Sequence, residues 1–206
     1  MSQYKVTYFD IPGGRAEPIR IAMHAAGLSF EDVRWSFPEF GEKRGTLRFN
    51  AVPVVEIDGK TITQSNAISR YFGKMSGLYP VDAMQALYCD EVLGALEDLT
   101  HYVVQTFGLE GDEMKSAREA LVAGRLPTFI NGLNELLTRG GGRYFAGDSI
   151  SIADLKAVQQ VGMMRSGNLE HIPADLIDKM APALVEHQQN IAKEPLVVAY
   201  YASLKS

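Results

Sequence analysis

The chain carries one cysteine, Cys89, and one tryptophan, Trp35. A lone cysteine excludes an intrachain disulfide and any CxxC redox or zinc motif. His101 and His171 stand isolated, without metal-ligand spacing around them, so no metal centre is expected. Positive charge is also short: 20 Lys and Arg against 25 Asp and Glu leave a net charge of −5, which provides no basic face for nucleic acid. No apolar run approaches the roughly 18 residues that cross a bilayer. The opening "MSQYKVTYFD" has no apolar stretch of the secretory kind, so a cytoplasmic location without membrane attachment is expected. Neither GxGxxG nor GxxxxGK[ST] occurs in "DIPGGRAEP", so the Pro-Gly-Gly turn at 12–14 is not a phosphate loop of either kind.

What remains is a chain of 206 residues, 46% hydrophobic, long enough for one large core or two modest ones. "YKVTYF" (4–9) alternates as a strand. Residues 15–26 place Ile19, Ala22, Met23 and Ala26 on one helical stripe. "SFEDVRW" (29–35) reads as a second strand, and "VPVVEIDGKTIT" (52–63) as a hairpin turning at Asp58-Gly59. Ser65 suits an N-cap for a helix to about Ser76, striped by Ala67, Ile68, Tyr71 and Phe72. The order β-α-β-α-β-β-α predicts a four-stranded sheet covered by helices. From Asp82 on, the pattern is helical, broken at Gly124, Pro127, Gly140–Gly142, Pro173, Pro182 and Pro195. In "GDSISIADL" (147–155), Ser151 caps a helix while Asp154 reaches back, with Ile150 and Leu155 at staple positions. That stretch is a folding signal. The chain is thus expected to divide into an α/β domain, 1–79, and an all-helical domain, 80–206.

"YKVTYFDIPGGRAEPIR", "VPVVEIDGKTITQSNAISRYFG" and "GDSISIADL", in this order and spacing, resemble the cytosolic glutathione S-transferases. The likeness spans essentially the whole chain. It is nearest the sigma-like group, which includes haematopoietic prostaglandin D synthases and helminth and insect enzymes. The resemblance implies a thioredoxin-like N-terminal domain, a helical C-terminal domain, a homodimer, glutathione as cosubstrate and a small apolar electrophile, or a peroxide, as second substrate.

It also implies roles for particular residues. Tyr8, at the C-terminal end of the first strand, would hold the glutathione sulfur as thiolate. A thiol of pKa about 8.5 is roughly 3% ionised at pH 7, and lowering that pKa by about two units takes about 2.7 kcal/mol. One hydrogen bond to a charged acceptor supplies about 1.5–3 kcal/mol, so a neutral phenol suffices. Read from position alone, Tyr8 is sooner a boundary aromatic with its hydroxyl in water, a reading that the family match at "TYF" reverses, and Phe9, on the other face, is core. Arg15 would fix the first helix and the site electrostatically; a structural salt bridge with Glu17 or an acid of the helical domain is its plainer role, and both can hold at once. Phe40, Arg44, Asn50 and Ala51 would meet the glycine end of the tripeptide. Here Phe40 and Ala51 depart from the Trp and the Lys or Gln common in relatives, which leaves Arg44 as the cation for the glycyl carboxylate.

Val52-Pro53 matches the family's cis-proline turn, with an ordinary trans bond as its plainer reading. Gln64 and Ser65 would receive the γ-glutamyl end, and Asp98 would reach the α-amino group across the dimer unless it is simply a solvated helix position. Phe49 matches a dimer key or packs locally. Ile11, Pro12, His101, Tyr102, Gln105, Phe107, Tyr200, Tyr201 and Leu204 are candidates for the electrophile pocket. A glutathione-dependent isomerase of the prostaglandin D synthase type and a non-catalytic, crystallin-like relative are the alternative functions.

Overall fold

The computed structural model describes residues 2–205. Two compact units make up the chain: Met1–Tyr79 with Pro195–Ser206, and Pro80–Glu194.

The first unit is built on β1 (Tyr4–Phe9), β2 (Glu31–Trp35), β3 (Val54–Ile57) and β4 (Lys60–Ile62), in the order β2-β1-β3-β4. β1 runs parallel to β2 and antiparallel to β3, and β3 pairs antiparallel with β4. The parallel pair is made by the crossover through α1 (Glu17–Ala25), the antiparallel pair by the two-residue turn at Asp58-Gly59. Both turn residues have positive φ, +49° and +77°, the hairpin geometry that favours Asp-Gly. A short helix, α2 (Phe37–Lys43), follows β2. It is opened by Ser36, whose hydroxyl accepts the Glu39 N–H while the Glu39 carboxylate accepts the Ser36 N–H.

α1 is buried on more than one stripe: Arg20 and Ile21 lie inside along with Ile19, Ala22 and Met23. It packs both on α3 (Ser65–Ser76) and on α10 (Pro195–Ser203). That packing explains why the final helix does not extend the helical unit to 206. Tyr200, 2% exposed, sits with its ring 5.7 Å from that of His24 on α1, and the segment joins the first unit. The cap of α3 is Gln64 rather than Ser65; Ser65 is already its first helical residue, and no side chain caps it. Gln64 occupies a positive φ of +74°, so the chain swings into the helix one residue earlier than a Ser cap requires.

The second unit is helical: α4 (Ala83–Val104), α5 (Gly111–Ala123), α6 (Arg125–Arg139), α7 (Ile152–Arg165), α8 (Leu176–Met180) and α9 (Pro182–Ile191). Asp82 caps α4 by accepting the Met84 and Gln85 N–H groups, each at 3.0 Å. Leu126, Ile130, Leu133 and Leu137 of α6 recur every three or four residues and are all buried, at about 1.5–3 kcal/mol each. Pro182 and Pro195 open helices, where a missing N–H does no harm. Pro127 breaks nothing: it lies in the first turn of α6, again among N–H groups without intrahelical partners. Asp154 does reach back, its Oδ2 accepting both the N–H and the hydroxyl of Ser151 at 2.7 Å. Its Oδ1 also accepts the Phe145 N–H at 3.0 Å and stands 2.9 Å from His187 Nε2.

Candidate active site

Tyr8 stands where the sheet ends. Its partner on β2 is Arg34, while the antiparallel ladder to β3 stops one residue earlier, at Thr7 and Val54. The side chain is not a boundary aromatic in water, being 5% exposed. Its hydroxyl oxygen accepts the backbone N–H of Arg15 at 3.2 Å, and Gly14, at φ +74°, lies close to the hydroxyl end of the ring. This is what the glycine-rich turn does. It lets backbone approach a phenol more closely than a side chain would permit.

Phe9 is only half-buried, because its ring packs outward on Phe37 and Phe40, each with centroids 4.9 Å away. Arg44, the C-cap of α2, lies over the Phe40 ring at 5.9 Å, and Lys43 lies over Trp35 at 5.1 Å. Phe40 and Arg44 therefore share one aromatic platform at the same end of the sheet as Tyr8. Asn50, at φ +50°, and Ala51 are exposed and lead into Val52 and Pro53, which are buried and joined by a cis peptide bond. Gln64 is exposed and Ser65 buried at the N-terminus of α3, whose first N–H groups have no partner within the helix.

Tyr8, Arg15, Phe40, Arg44, Asn50–Pro53, Gln64 and Ser65 thus belong to the first unit. Asp98 belongs to the second, exposed on α4. Its neighbour Glu97 is bound to Lys156 at 2.6 Å. His101 pairs with Gln105 at 2.9 Å, and Tyr102 packs on Phe129. Phe49 is 59% exposed, which does not fit local packing. Tyr200, a candidate for the electrophile pocket, is instead buried against α1. Burial, and after it the Glu17 carboxylate, pushes its phenol well above the ordinary tyrosine value. Among the described residues no three His, Cys, Asp or Glu side chains gather to hold a metal ion, and no helix is long and apolar enough to cross a membrane.

One set of residues at the site escaped the sequence reading. Glu17 carries a salt bridge with Arg20 at 3.2 Å. Arg20 also donates through Nε to Asp32 Oδ1 at 2.9 Å, and Asp32 Oδ2 accepts from Arg34 Nε at 2.9 Å. The available signal was two charges three apart, Glu17 and Arg20, inside an otherwise apolar helix.

The glutathione S-transferase N-terminal domain matches residues 4–74, and the glutathione S-transferase C-terminal domain matches residues 97–204. Glutathione S-transferase 1 of Ascaris suum is 34% identical over 163 residues, covering 75% of this chain and 77% of that protein. Hematopoietic prostaglandin D synthase of Gallus gallus is 28% identical over 201 residues, covering 97% and 96%. The solved structure of prostaglandin synthase D of Nilaparvata lugens is similar with a TM-score of 0.84 at 28% identity, covering 97% of each chain. A thioredoxin-like sheet unit, a helical unit and these matches to both halves lead to one conclusion: the chain belongs to the glutathione S-transferase family, whose enzymes use glutathione as cosubstrate.

Proposed function

We propose that this glutathione S-transferase activates the glutathione thiol with the hydroxyl of Tyr8 and directs the thiolate at a small apolar electrophile. The observation that carries this reading is the setting of Tyr8: a buried phenol at the end of β1, its oxygen already accepting the Arg15 N–H. That bond engages a lone pair of the oxygen, and the hydroxyl proton is the group we assign to the sulfur. Each hydrogen bond in such a chain polarises the next, so the amide makes the phenol a stronger donor.

The N-terminus of α1 lies beside the same hydroxyl and adds about 0.3–1 kcal/mol in favour of an anion. Together with a charge-assisted bond of about 1.5–3 kcal/mol, this holds a bound thiol mostly ionised near neutral pH without a base. The thiol proton leaves to solvent. Sulfur then bonds to the electrophilic carbon, and the leaving group departs with its electron pair.

For the rest of the tripeptide we assign the γ-glutamyl end to Gln64, Ser65 and the first amides of α3, the cysteinyl backbone to Val52 and Pro53, and the glycyl carboxylate to Arg44, with Phe40, Asn50 and Ala51 beside it. Arg15 assists from the start of α1. A homodimer with Asp98 of one subunit serving the other, a cytoplasmic location and membership of the sigma class complete the reading. A glutathione-dependent isomerase is the second reading, favoured by the likeness to prostaglandin D synthases over nearly the whole chain. Retention on immobilised glutathione, with turnover of a chlorodinitrobenzene and of a prostaglandin endoperoxide measured side by side, tests both. Conjugation that collapses in Tyr8→Phe while retention survives supports the first reading, and endoperoxide turnover far exceeding conjugation favours the second. No retention at all contradicts both.

A further inference from the structure

Tyr8 is held from two directions. On one side is the Arg15 N–H, and the chain runs from there directly into α1, with the Glu17 amide donating to the Gly14 carbonyl at 3.3 Å. On the other side is β2, where Arg34 is the ladder partner of Tyr8. Arg20 spans the gap between helix and strand. It is 0% exposed; its Nη1 meets Glu17 Oε2 at 3.2 Å, and its Nε and Nη2 both lie 2.9 Å from Asp32 Oδ1. Asp32 then takes Arg34 through its other oxygen. The Arg15 amide leaves Tyr8 for the chain that enters α1 at Glu17, and side-chain contacts then run from Glu17 through Arg20 and Asp32 to Arg34. They return to Tyr8 along the parallel ladder. Tyr200 of α10 lies close enough to feel the charges of Glu17, Arg20 and Asp32, and Arg34 feels those of Asp32 and Glu17.

A guanidinium withdrawn wholly from water is a poor source of stability, since an apolar side chain of similar volume commonly packs as well or better. What it supplies is geometry, because a planar fork with donors at Nε and Nη1 reaches two carboxylates on two elements at once. The bond it governs has little slack: 3.2 Å is already the long end for an N–H···O contact.

We infer that Arg20 is a positioning residue for the Tyr8 hydroxyl, fixing the first turn of α1 on β2 and hence the place where the Arg15 amide meets the phenolic oxygen. This rests on the reading of Tyr8 given above. Loosening the brace moves the amide away and weakens the phenol as a donor to sulfur. The bound thiol then ionises at higher pH.

The test is the pH profile of kcat/KM for conjugation, together with the ultraviolet thiolate absorbance of bound glutathione, in Arg20→Lys, Arg20→Met and Asp32→Asn. Each is expected to raise the apparent pKa of the bound thiol by about half a unit to one unit. On the acidic limb kcat/KM then falls about three- to tenfold, while the alkaline plateau is recovered. KM for glutathione changes by less than about twofold. In a Tyr8→Phe background the same substitutions add nothing further, because they act through the missing hydroxyl. Should Arg20→Met fail to fold, Asp32→Asn carries the test, its side chain being 25% exposed. Folded variants with an unshifted thiol pKa, or an equal loss of rate with and without the Tyr8 hydroxyl, overturn the inference. If Tyr8→Phe alone leaves the thiol pKa unchanged, the underlying reading of Tyr8 falls instead.

Discussion

A Cβ built on Gly14 would fall 2.7 Å from Cε1 of Tyr8 and 2.8 Å from its hydroxyl oxygen. Gly14 also sits at φ +74°, a conformation that other residues adopt only at a cost of about 1–2 kcal/mol. Gly14→Ala must therefore displace the loop or the ring, and either shift breaks the geometry that presents the phenol. We expect kcat/KM for glutathione conjugation to fall about tenfold or more, since each tenfold corresponds to only about 1.4 kcal/mol of transition-state stabilisation. Gly27→Ala, also at positive φ but with open space around its Cβ, is the control; it loses some stability and leaves the rate unchanged.

Two acids of the helical unit separate buried from exposed electrostatics. Asp154 is 0% exposed and holds the Phe145 N–H, the Ser151 N–H and hydroxyl, and His187 Nε2. Asp154→Ala leaves these groups buried without a partner, and the loss of unfolding free energy is expected at about 3–5 kcal/mol. Asp178 makes a two-point pair with Arg165, but it is 39% exposed and water screens it. Asp178→Asn is expected to cost less than about 1 kcal/mol. Urea unfolding of both variants measures the difference.

The stability of the fold is expected to decline on the alkaline side. Burial, above all, pushes the Cys89 thiol up to about 12, and burial likewise raises the Tyr200 phenol. Both groups hold their protons longer when folded than when unfolded, so the unfolded chain binds fewer protons at high pH and stability falls as pH rises. The contribution of Cys89 is whole below its unfolded pKa of about 8.5 and is lost as pH climbs toward 12, with Tyr200 joining from about pH 10. Cys89→Ala shortens this window at its lower end. In the native protein Cys89 resists thiol-directed alkylation near pH 8, because both burial and the raised pKa withhold the thiolate.

The local elements were largely legible. β1 could be read from the alternation at 4–9, the hairpin from Asp58-Gly59, and α3 from its apolar stripe, since each is set by its own residues. Features that need two distant segments were not legible. The brace from Glu17 through Arg20 to Asp32 exists only once α1 is laid on β2. The residues from Pro195 onward read as one more helix of the second unit, because nothing local reveals that Tyr200 buries against α1. Phe9 follows strand alternation, yet it packs on Phe37 and Phe40 of a helix whose placement alternation does not encode.

The most direct measurement is the ultraviolet difference spectrum of glutathione bound to the wild-type protein and to Tyr8→Phe across pH. Wild type is expected to show thiolate absorbance at neutral pH. In Tyr8→Phe the ionisation should move up by about one to two units, with conjugation on the acidic limb reduced by about one to two orders of magnitude and glutathione affinity little altered. Thiolate absorbance of equal strength at neutral pH in both proteins, or none in either, contradicts the account.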